Sequence, residues 1–238
     1  MRRKIKLARA VSYFAAFIIA VIFIAFFGGP NILKGYIETG IGGCLKIPIL
    51  CKAPSQDITD IKIDKDYLAA LIPHVFPNMS VSCPRGFMVV QELHKRPYYK
   101  KRIARHKESV IYVFRQDPGY FIKLFPQVKS AGIKDNYDFI KRLTCARTDQ
   151  IKNITDAFFV ILKSVFTPDT GDQNSVVMAS FSISGKKGFI SYNLFDKEYY
   201  FDCNLVDDNG DFFKAYIKDL NKSLGVKEVL AIISTLQR

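Results

Sequence analysis

The chain has 238 residues, of which 49% are hydrophobic and 13% aromatic, and its formal net charge is +13. This composition excludes a disordered chain, which would bury too little apolar surface to fold. With 14 Gly, 10 Pro and 5 Cys, it also excludes a collagen-like chain and a disulfide-dense scaffold. The length suits one sizeable domain and one additional segment.

The additional segment lies at the N-terminus, where residues 10–27 form an uncharged apolar run of 18 residues. About 20 helical residues cross the hydrocarbon core of a bilayer, so we predict a transmembrane helix over residues 10–29. The preceding tail, residues 1–9, holds five basic and no acidic residues. The positive-inside rule places such a tail in the cytoplasm. The sequence therefore predicts a single-pass protein of the inner or plasma membrane, with its C-terminal domain in the periplasm or outside the cell.

Two kinds of processing compete with an uncleaved anchor. A cleaved signal peptide has the same basic start and apolar middle. However, no A-x-A pattern follows the run, and the run is long for a signal peptide, so we favour an uncleaved signal anchor. The segment ending at Cys44 also looks like a lipoprotein processing box, but Cys44 lies well beyond the apolar run, which argues against lipidation.

Residues 30–56 form an apolar, Gly-spotted linker with few charges. The linker either lies on the membrane surface or packs under the domain that follows. It holds Cys44 and Cys51, which an oxidising compartment would allow to form a local disulfide. The total of five cysteines leaves at least one thiol free.

Residues 57–238 have the pattern of a single α+β domain. In its first part, apolar periodicity predicts helices at 64–72, 136–145 and 149–165, and strands at 87–93 and 109–115. Between residues 175 and 206, apolar and polar residues alternate between turns, which indicates an antiparallel meander. Apolar stripes over 213–224 and 226–236 predict two closing helices. We therefore expect an antiparallel sheet that helices cover on one face.

The most distinctive feature of the domain is a basic stretch, residues 94–107, with seven Lys or Arg and no acid. We expect an exposed loop or ribbon that attracts anionic lipid, a polyanion or an acidic protein surface. A solvated loop that keeps the domain soluble is the alternative. Nucleic acid is not expected as a partner of a domain outside the cytoplasm. The candidate binding residues are Lys95, Arg96, Tyr98, Tyr99, Lys100, Lys101, Arg102, Arg105 and Lys107.

Two acidic pairs provide a weaker, metal-binding hypothesis. Asp64 and Asp66 form the D-x-D pattern that a membrane-anchored sugar transferase presents to a metal-bound nucleotide sugar, although a chain this rich in Asp contains such a pattern about once by chance. Asp207 and Asp211 follow the meander, in a turn whose ordinary role is to cap the next element. Carboxylates in such pairs suit hard cations.

No catalytic constellation is recognisable, since C-x-x-C and G-x-S-x-G are both absent from the sequence. The catalytic residues stay unknown, and we expect no cofactor. The sequence favours a non-catalytic domain outside the cytoplasm, acting as an interaction or scaffold subunit of a membrane-associated assembly. One alternative is a membrane-anchored transferase or hydrolase with an acidic site. The other is a sensor or binding module that takes an anionic ligand through the basic stretch.

Overall fold

The computed structural model describes residues 29–41, 43–59, 62–92, 101–106, 109–166, 173–195 and 197–238. The α-helices in these ranges are α1 (Gly29–Tyr36), α2 (Gly43–Lys46), α3 (Lys65–Ala70), α4 (Tyr120–Leu124), α5 (Asn136–Cys145), α6 (Ile154–Phe166) and α7 (Val226–Ser234). The strands are β1 (Gln56–Ile58), β2 (Ile72–Phe76), β3 (Met79–Cys83), β4 (Met88–Glu92), β5 (Lys101–His106), β6 (Ser109–Gln116), β7 (Val177–Ile183), β8 (Lys186–Asn193), β9 (Tyr199–Asp207) and β10 (Phe212–Asp219).

The domain is α+β, as its sequence pattern predicts, and is built on a mixed sheet. The strand order is β1-β7-β8-β9-β10-β6-β5-β4, and β2 and β3 form a separate hairpin. Strand β1 runs parallel to β7, whereas the other neighbours in the sheet are antiparallel. The expectation of a purely antiparallel sheet is therefore wrong at one edge, where β1 adds a parallel strand to the predicted meander.

One side of the sheet, named here the closed face, is an apolar surface built by five strands. Helices α3 and α7 and the β2–β3 hairpin pack over it. Phe201, Phe213 and Ile217 are fully shielded from solvent there. The strand residues of this face are Ile111, Val113, Ala179, Phe181, Ile190, Phe201, Cys203, Leu205, Phe213, Ala215 and Ile217. Their burial is the main hydrophobic contribution to stability that the fold offers.

The opposite side, named here the open face, carries the alternate residues of the same strands. At one end, aromatic residues of α4, α5 and α6 pack on Phe114, Phe189 and Phe212. The expectation that helices cover one face only is therefore wrong. Helices lie on both faces, because the open face also has apolar residues at one end of its strands. Next to that end, the same face carries polar residues of β9 and β10.

Strand β10 replaces a helix that the apolar spacing predicts over residues 213–224. Phe213 and Ile217 are four residues apart, a separation that fits one face of a helix and one face of a strand equally well. The residues between them decide the outcome, since Ala215 is buried with this pair while Lys214 and Tyr216 are only partly buried. Burial therefore alternates with a period of two, as in a strand, and β10 pairs with both β9 and β6.

The linker that precedes the domain packs against it. Ile37 and Leu50 are fully buried in a small core with Ala157 and Val160 of α6. Lys52 donates hydrogen bonds to backbone carbonyls near residue 174. We predicted that the linker either lies on the membrane surface or packs under the domain. These contacts agree with packing under the domain.

The N-terminal tail and most of the predicted transmembrane helix, residues 1–28, lie outside the described residues. Within the ranges that the structure describes, no helix has the length and apolar character needed to cross a membrane.

Candidate ligand pocket on the open face

A pocket of about 540 Å³ lies on the open face where the aromatic cluster ends. This volume is within the range of small-molecule sites, about 300–1,000 Å³. Strands β6, β9 and β10 form the floor, while α4 and the end of α6 form the walls. The lining residues are Val110, Tyr112, Phe114, Tyr120, Phe121, Val165, Phe166, Asn204, Phe212, Lys214 and Tyr216. The pocket is thus mainly apolar and aromatic, with a small number of polar groups.

The mouth of the pocket exposes apolar side chains. Val165 is 72% exposed and Phe166 is 37% exposed, both at the C-terminal end of α6. The carbonyl oxygen of Phe166 accepts a hydrogen bond of 3.0 Å from Lys214. This bond ties the end of α6 to the sheet and therefore holds the pocket wall against the floor.

The polar part of the floor is centred on an ion pair between β9 and β10. Lys214 Nζ lies 3.1 Å from Asp202 Oδ1, and both side chains are largely buried. The second carboxylate oxygen of Asp202 accepts a hydrogen bond from Asn204. Asp202 Oδ1 has no hydrogen bond of good geometry among the described residues, so Lys214 supplies charge compensation at this atom. The two charges of this pair neutralise each other, and the rest of the pocket floor is mainly apolar.

A second ion pair lies further along the same strands. Lys218 Nζ lies 2.6 Å from Glu198 Oε2, and the Tyr200 hydroxyl donates a hydrogen bond of 2.5 Å to the same oxygen. The Lys218 side chain is 35% exposed, so this pair is only partly screened from water. The Lys218–Glu198 pair lies at the end of the polar part of the open face.

The register of the sheet brings part of the predicted basic stretch beside the pocket. Lys101, Arg102 and Arg105 lie on β5, which pairs with β6. Arg105 is opposite Val110, and Lys101 is opposite Phe114; both partners line the pocket. The stretch is therefore in part a strand of the sheet, whereas a loop or ribbon between strands was expected. Lys95, Arg96, Tyr98, Tyr99, Lys100 and Lys107 lie outside the described residues.

Three of the four aspartates of the metal hypothesis, Asp64, Asp207 and Asp211, have structural partners for their carboxylates. Asp64 Oδ1 accepts hydrogen bonds from the backbone N–H groups of Asp66 and Tyr67 and so caps α3. Asp207 Oδ1 accepts from the N–H of Asp211 in the β9–β10 turn. The buried Asp211 pairs with Arg115 at 2.6 Å. In the described parts of the chain, no three His, Cys, Asp or Glu side chains group as metal ligands would.

Cys44 and Cys51 form a disulfide, with their Cα atoms 5.6 Å apart. That separation is within the range that a disulfide spans. Both sulfurs contact the hydroxyl of Thr148 at 2.9 Å, which fixes the linker to the segment between α5 and α6.

Cys83 and Cys203 are buried, and burial raises the pKa of the Cys83 thiol to about 12. A thiol with such a pKa is a core residue and a poor nucleophile.

Two other buried charges support the fold. Asp219 is fully buried and accepts hydrogen bonds from the Ser109 hydroxyl and from the N–H groups of Ser223 and Leu224. Lys163 donates to three backbone carbonyls, two of them at the C-terminal end of α5. Burial lowers the pKa of Lys163 to about 8. Both side chains form hydrogen bonds with the groups around them, mainly backbone N–H and carbonyl groups, so neither indicates a catalytic site.

A second cavity, of about 490 Å³, lies between α5 and α6 and is more polar. Arg142 crosses it to form an ion pair with Asp156. Asp156 also accepts from the N–H of Lys152, so its carboxylate already occupies the N-terminal end of α6. The Asp156 carboxylate is therefore matched within the protein, and we take the more apolar pocket of the open face as the better candidate site.

Sequence reasoning did not find this pocket. Asp202, Asn204 and Lys214 are the residues that it missed, and only the polar alternation along β9 signals them. Lys214 could not be recognised as a sheet residue from the sequence, because the apolar spacing of the β10 segment also fits a helix.

No protein-family model matches the chain, and a search of curated proteins finds no relative of it.

Proposed function

We propose that this chain is a single-pass membrane protein whose α+β domain is a non-catalytic recognition subunit of a membrane-associated assembly. The anchor is inferred from the uncharged run of residues 10–27 and the basic tail before it. The domain would lie outside the cytoplasm, in the compartment that allows the Cys44–Cys51 bridge to persist.

The observation that carries the recognition role is the open-face pocket. It combines an apolar, aromatic lining with a few fixed polar groups, which is the composition typical of binding sites. Its cation, Lys214, is engaged by Asp202 and by the Phe166 carbonyl. Such a group can orient a ligand, but the lining residues that the structure describes include no nucleophile with an adjacent base. The arrangement therefore supports binding better than it supports a transferase or hydrolase.

Site-specific photo-crosslinking in the native membrane tests this proposal. A benzophenone amino acid replaces Val165 at the mouth of the pocket in the full chain. The matched control replaces Val75, which is 82% exposed on the hairpin that covers the closed face. We expect a discrete adduct from position 165 and none from position 75. Equal labelling at the two positions, or labelling at neither, would reject the pocket as the recognition surface.

The location of the domain is tested separately. A protease added to intact cells or inverted vesicles distinguishes the two sides of the membrane. We expect cleavage only from the side opposite the basic tail. Cleavage of the domain from the cytoplasmic side would reject the proposed topology while leaving the pocket untouched.

A further inference from the structure

We propose that the cavity between α5 and α6, named here the α5–α6 cavity, binds a phosphate monoester through Arg147 and Lys152. This site is separate from the open-face pocket and does not depend on the function proposed for that pocket.

The α5–α6 cavity combines cations with apolar side chains. Its volume of about 490 Å³ is within the range of small-molecule sites. Phe159 and Val160 of α6, both buried, belong to its lining, together with Arg142, Arg147 and Lys152. Such a cavity has positive charge for a phosphate group and an apolar surface for the organic part of an ester.

Positive charge exceeds negative charge in this lining, which holds three basic side chains and one carboxylate, that of Asp156. Asp156 Oδ1 accepts a hydrogen bond from Arg142, and Oδ2 accepts one from the backbone N–H of Lys152. Both carboxylate oxygens are therefore engaged. Asp156 compensates Arg142 and leaves the charges of Arg147 and Lys152.

Arg147 is held in place by a carboxylate but keeps free donors. Its Nε and Nη2 atoms donate hydrogen bonds of 2.9 and 2.7 Å to the two carboxylate oxygens of Asp149. This bidentate contact fixes the plane of the guanidinium group. Because Nη1 takes no part in the contact, a phosphate oxygen can accept from Nη1 without displacing Asp149.

Lys152 supplies a charge that the protein does not compensate. Its side chain is exposed, and the ion pairs and hydrogen bonds of the described residues leave its ammonium group without a partner. Lys163 adds positive charge beside the cavity, since its Nζ donates to the carbonyl of the lining residue Ala146. Burial and, after it, the charge of Arg147 lower the pKa of Lys163. An anion between these cations would relieve their mutual repulsion.

A phosphate monoester fits these groups in charge and in geometry. It carries about −1.5 to −2 charges at pH 7 and offers several acceptor oxygens, which the planar guanidinium and the ammonium group can share. The amide groups of Gln150 and Asn153 are further polar groups of the lining. A cleft of one sign with apolar walls also concentrates the oppositely charged ligand.

The cavity lies beside the linker, which allows two sources of the ligand. Ala146 and Val160 line the cavity and also pack in the small core that holds Ile37. Ile37 follows the apolar run of residues 10–27 closely in the sequence. A membrane lipid and a soluble ester therefore both supply the required phosphate chemistry, and the experiment distinguishes them.

The experiment uses the full chain in dodecyl maltoside, a detergent without phosphate, and measures binding of phenyl phosphate by isothermal titration calorimetry. Phenol is the counterpart that lacks the phosphate. The test variant is Lys152→Gln. The matched control is Lys227→Gln, which removes an exposed lysine of α7, a helix that packs on the closed face.

We expect the wild type to bind phenyl phosphate and not phenol. Lys152→Gln should weaken binding about fivefold, and adding Arg147→Gln should remove it, while Lys227→Gln should bind as the wild type does. Added sodium chloride should weaken binding, because salt screens the cations of the cavity.

Alkylation of Cys145 by iodoacetamide, followed by peptide mass spectrometry, locates the ligand. Cys145 lines the cavity and is only partly buried. We expect phenyl phosphate, but not phenol, to slow this reaction. Unchanged affinity in Lys152→Gln, an equal loss in Lys227→Gln, equal binding of phenol, or no protection of Cys145 would each overturn the site.

The source of the phosphate is distinguished by competition. Phosphatidic acid is added to the micelles, with diacylglycerol as the lipid that lacks the phosphate. Displacement of phenyl phosphate by phosphatidic acid alone supports a membrane lipid as the ligand, whereas binding that phosphatidic acid does not displace supports a soluble ester. Crosslinking at Val165 reports on the open-face pocket, so failure of the phosphate site leaves that proposal unchanged.

Discussion

The two faces of the central sheet are built from the same strands and differ in what covers them. On β10, Phe213 is fully buried against the closed face, while its neighbour Lys214 lies on the pocket floor of the open face. Because successive side chains of a strand point to opposite sides, one segment can supply both the core and the candidate site. If the proposed function is right, stability and recognition are separated by face, not by position along the chain.

The difference between the faces also has an energetic side. The closed face is dry and apolar, so its contribution to folding is direct. The open face buries the Asp202–Lys214 pair, whose desolvation offsets much of the attraction between the charges.

The largest effect that separates the faces should come from matched Phe changes. Phe213→Ala removes a fully buried ring from the closed face and should lower the free energy of unfolding by about 3–5 kcal/mol. Phe166→Ala, at the mouth of the pocket, should cost less than about 1 kcal/mol. Equilibrium urea unfolding followed by far-ultraviolet circular dichroism measures both. Similar costs at the two positions would remove the distinction between the faces.

The ion pair on the open face should give the next largest effect. Lys214→Met leaves the Asp202 carboxylate buried without its partner and should cost about 3 kcal/mol. Adding Asp202→Asn removes the orphaned charge, so the double variant should recover most of this loss. The same unfolding measurement tests the pair. Additive losses in the double variant would show that the two charges are not coupled.

A smaller effect on the closed face should appear at alkaline pH. Burial raises the pKa of the Cys83 thiol from its ordinary value of about 9 to about 12. The unfolded chain loses this proton first, so the contribution of the thiol is complete below pH 9 and is lost as the pH rises toward 12. The stability advantage of the wild type over Cys83→Ala should therefore shrink between pH 8 and pH 10.5.

Urea midpoints at the two pH values measure this change. Cys145→Ala is the control, because Cys145 is only partly buried and its change with pH should be smaller. A constant difference between wild type and Cys83→Ala at both pH values would contradict the burial of Cys83 in the core.

Local patterns in the sequence predict much of the fold. The spacing over residues 136–145 predicts α5 with the bounds that the structure has, because Asp135 is a good N-cap and its carboxylate accepts from the N–H of Asp138. The meander strands follow from their alternation. The first turn of the meander lies at Ser184 and Gly185, which both have positive φ and so form the tight hairpin connection that suits the twist of the strands.

The pocket could not be predicted in the same way, because it depends on pairing between distant segments. Lys214 and Asp202 are twelve residues apart in the chain and meet only because β9 and β10 are neighbours. The position of Arg105 beside Val110 likewise depends on the β5–β6 register. The basic stretch was visible in the sequence as charge, but its nearness to an apolar pocket is a property of the sheet.

The central claim, that the open face is the recognition surface, is tested most directly by native mass spectrometry of the full chain extracted from its own membranes. Val165→Asp adds a charge at the pocket mouth, and Val75→Asp makes the same change on the hairpin; both positions are exposed, so neither variant should unfold. We predict a bound species of defined mass on the wild type and on Val75→Asp that is lost from Val165→Asp. Retention of that species by Val165→Asp would contradict the claim.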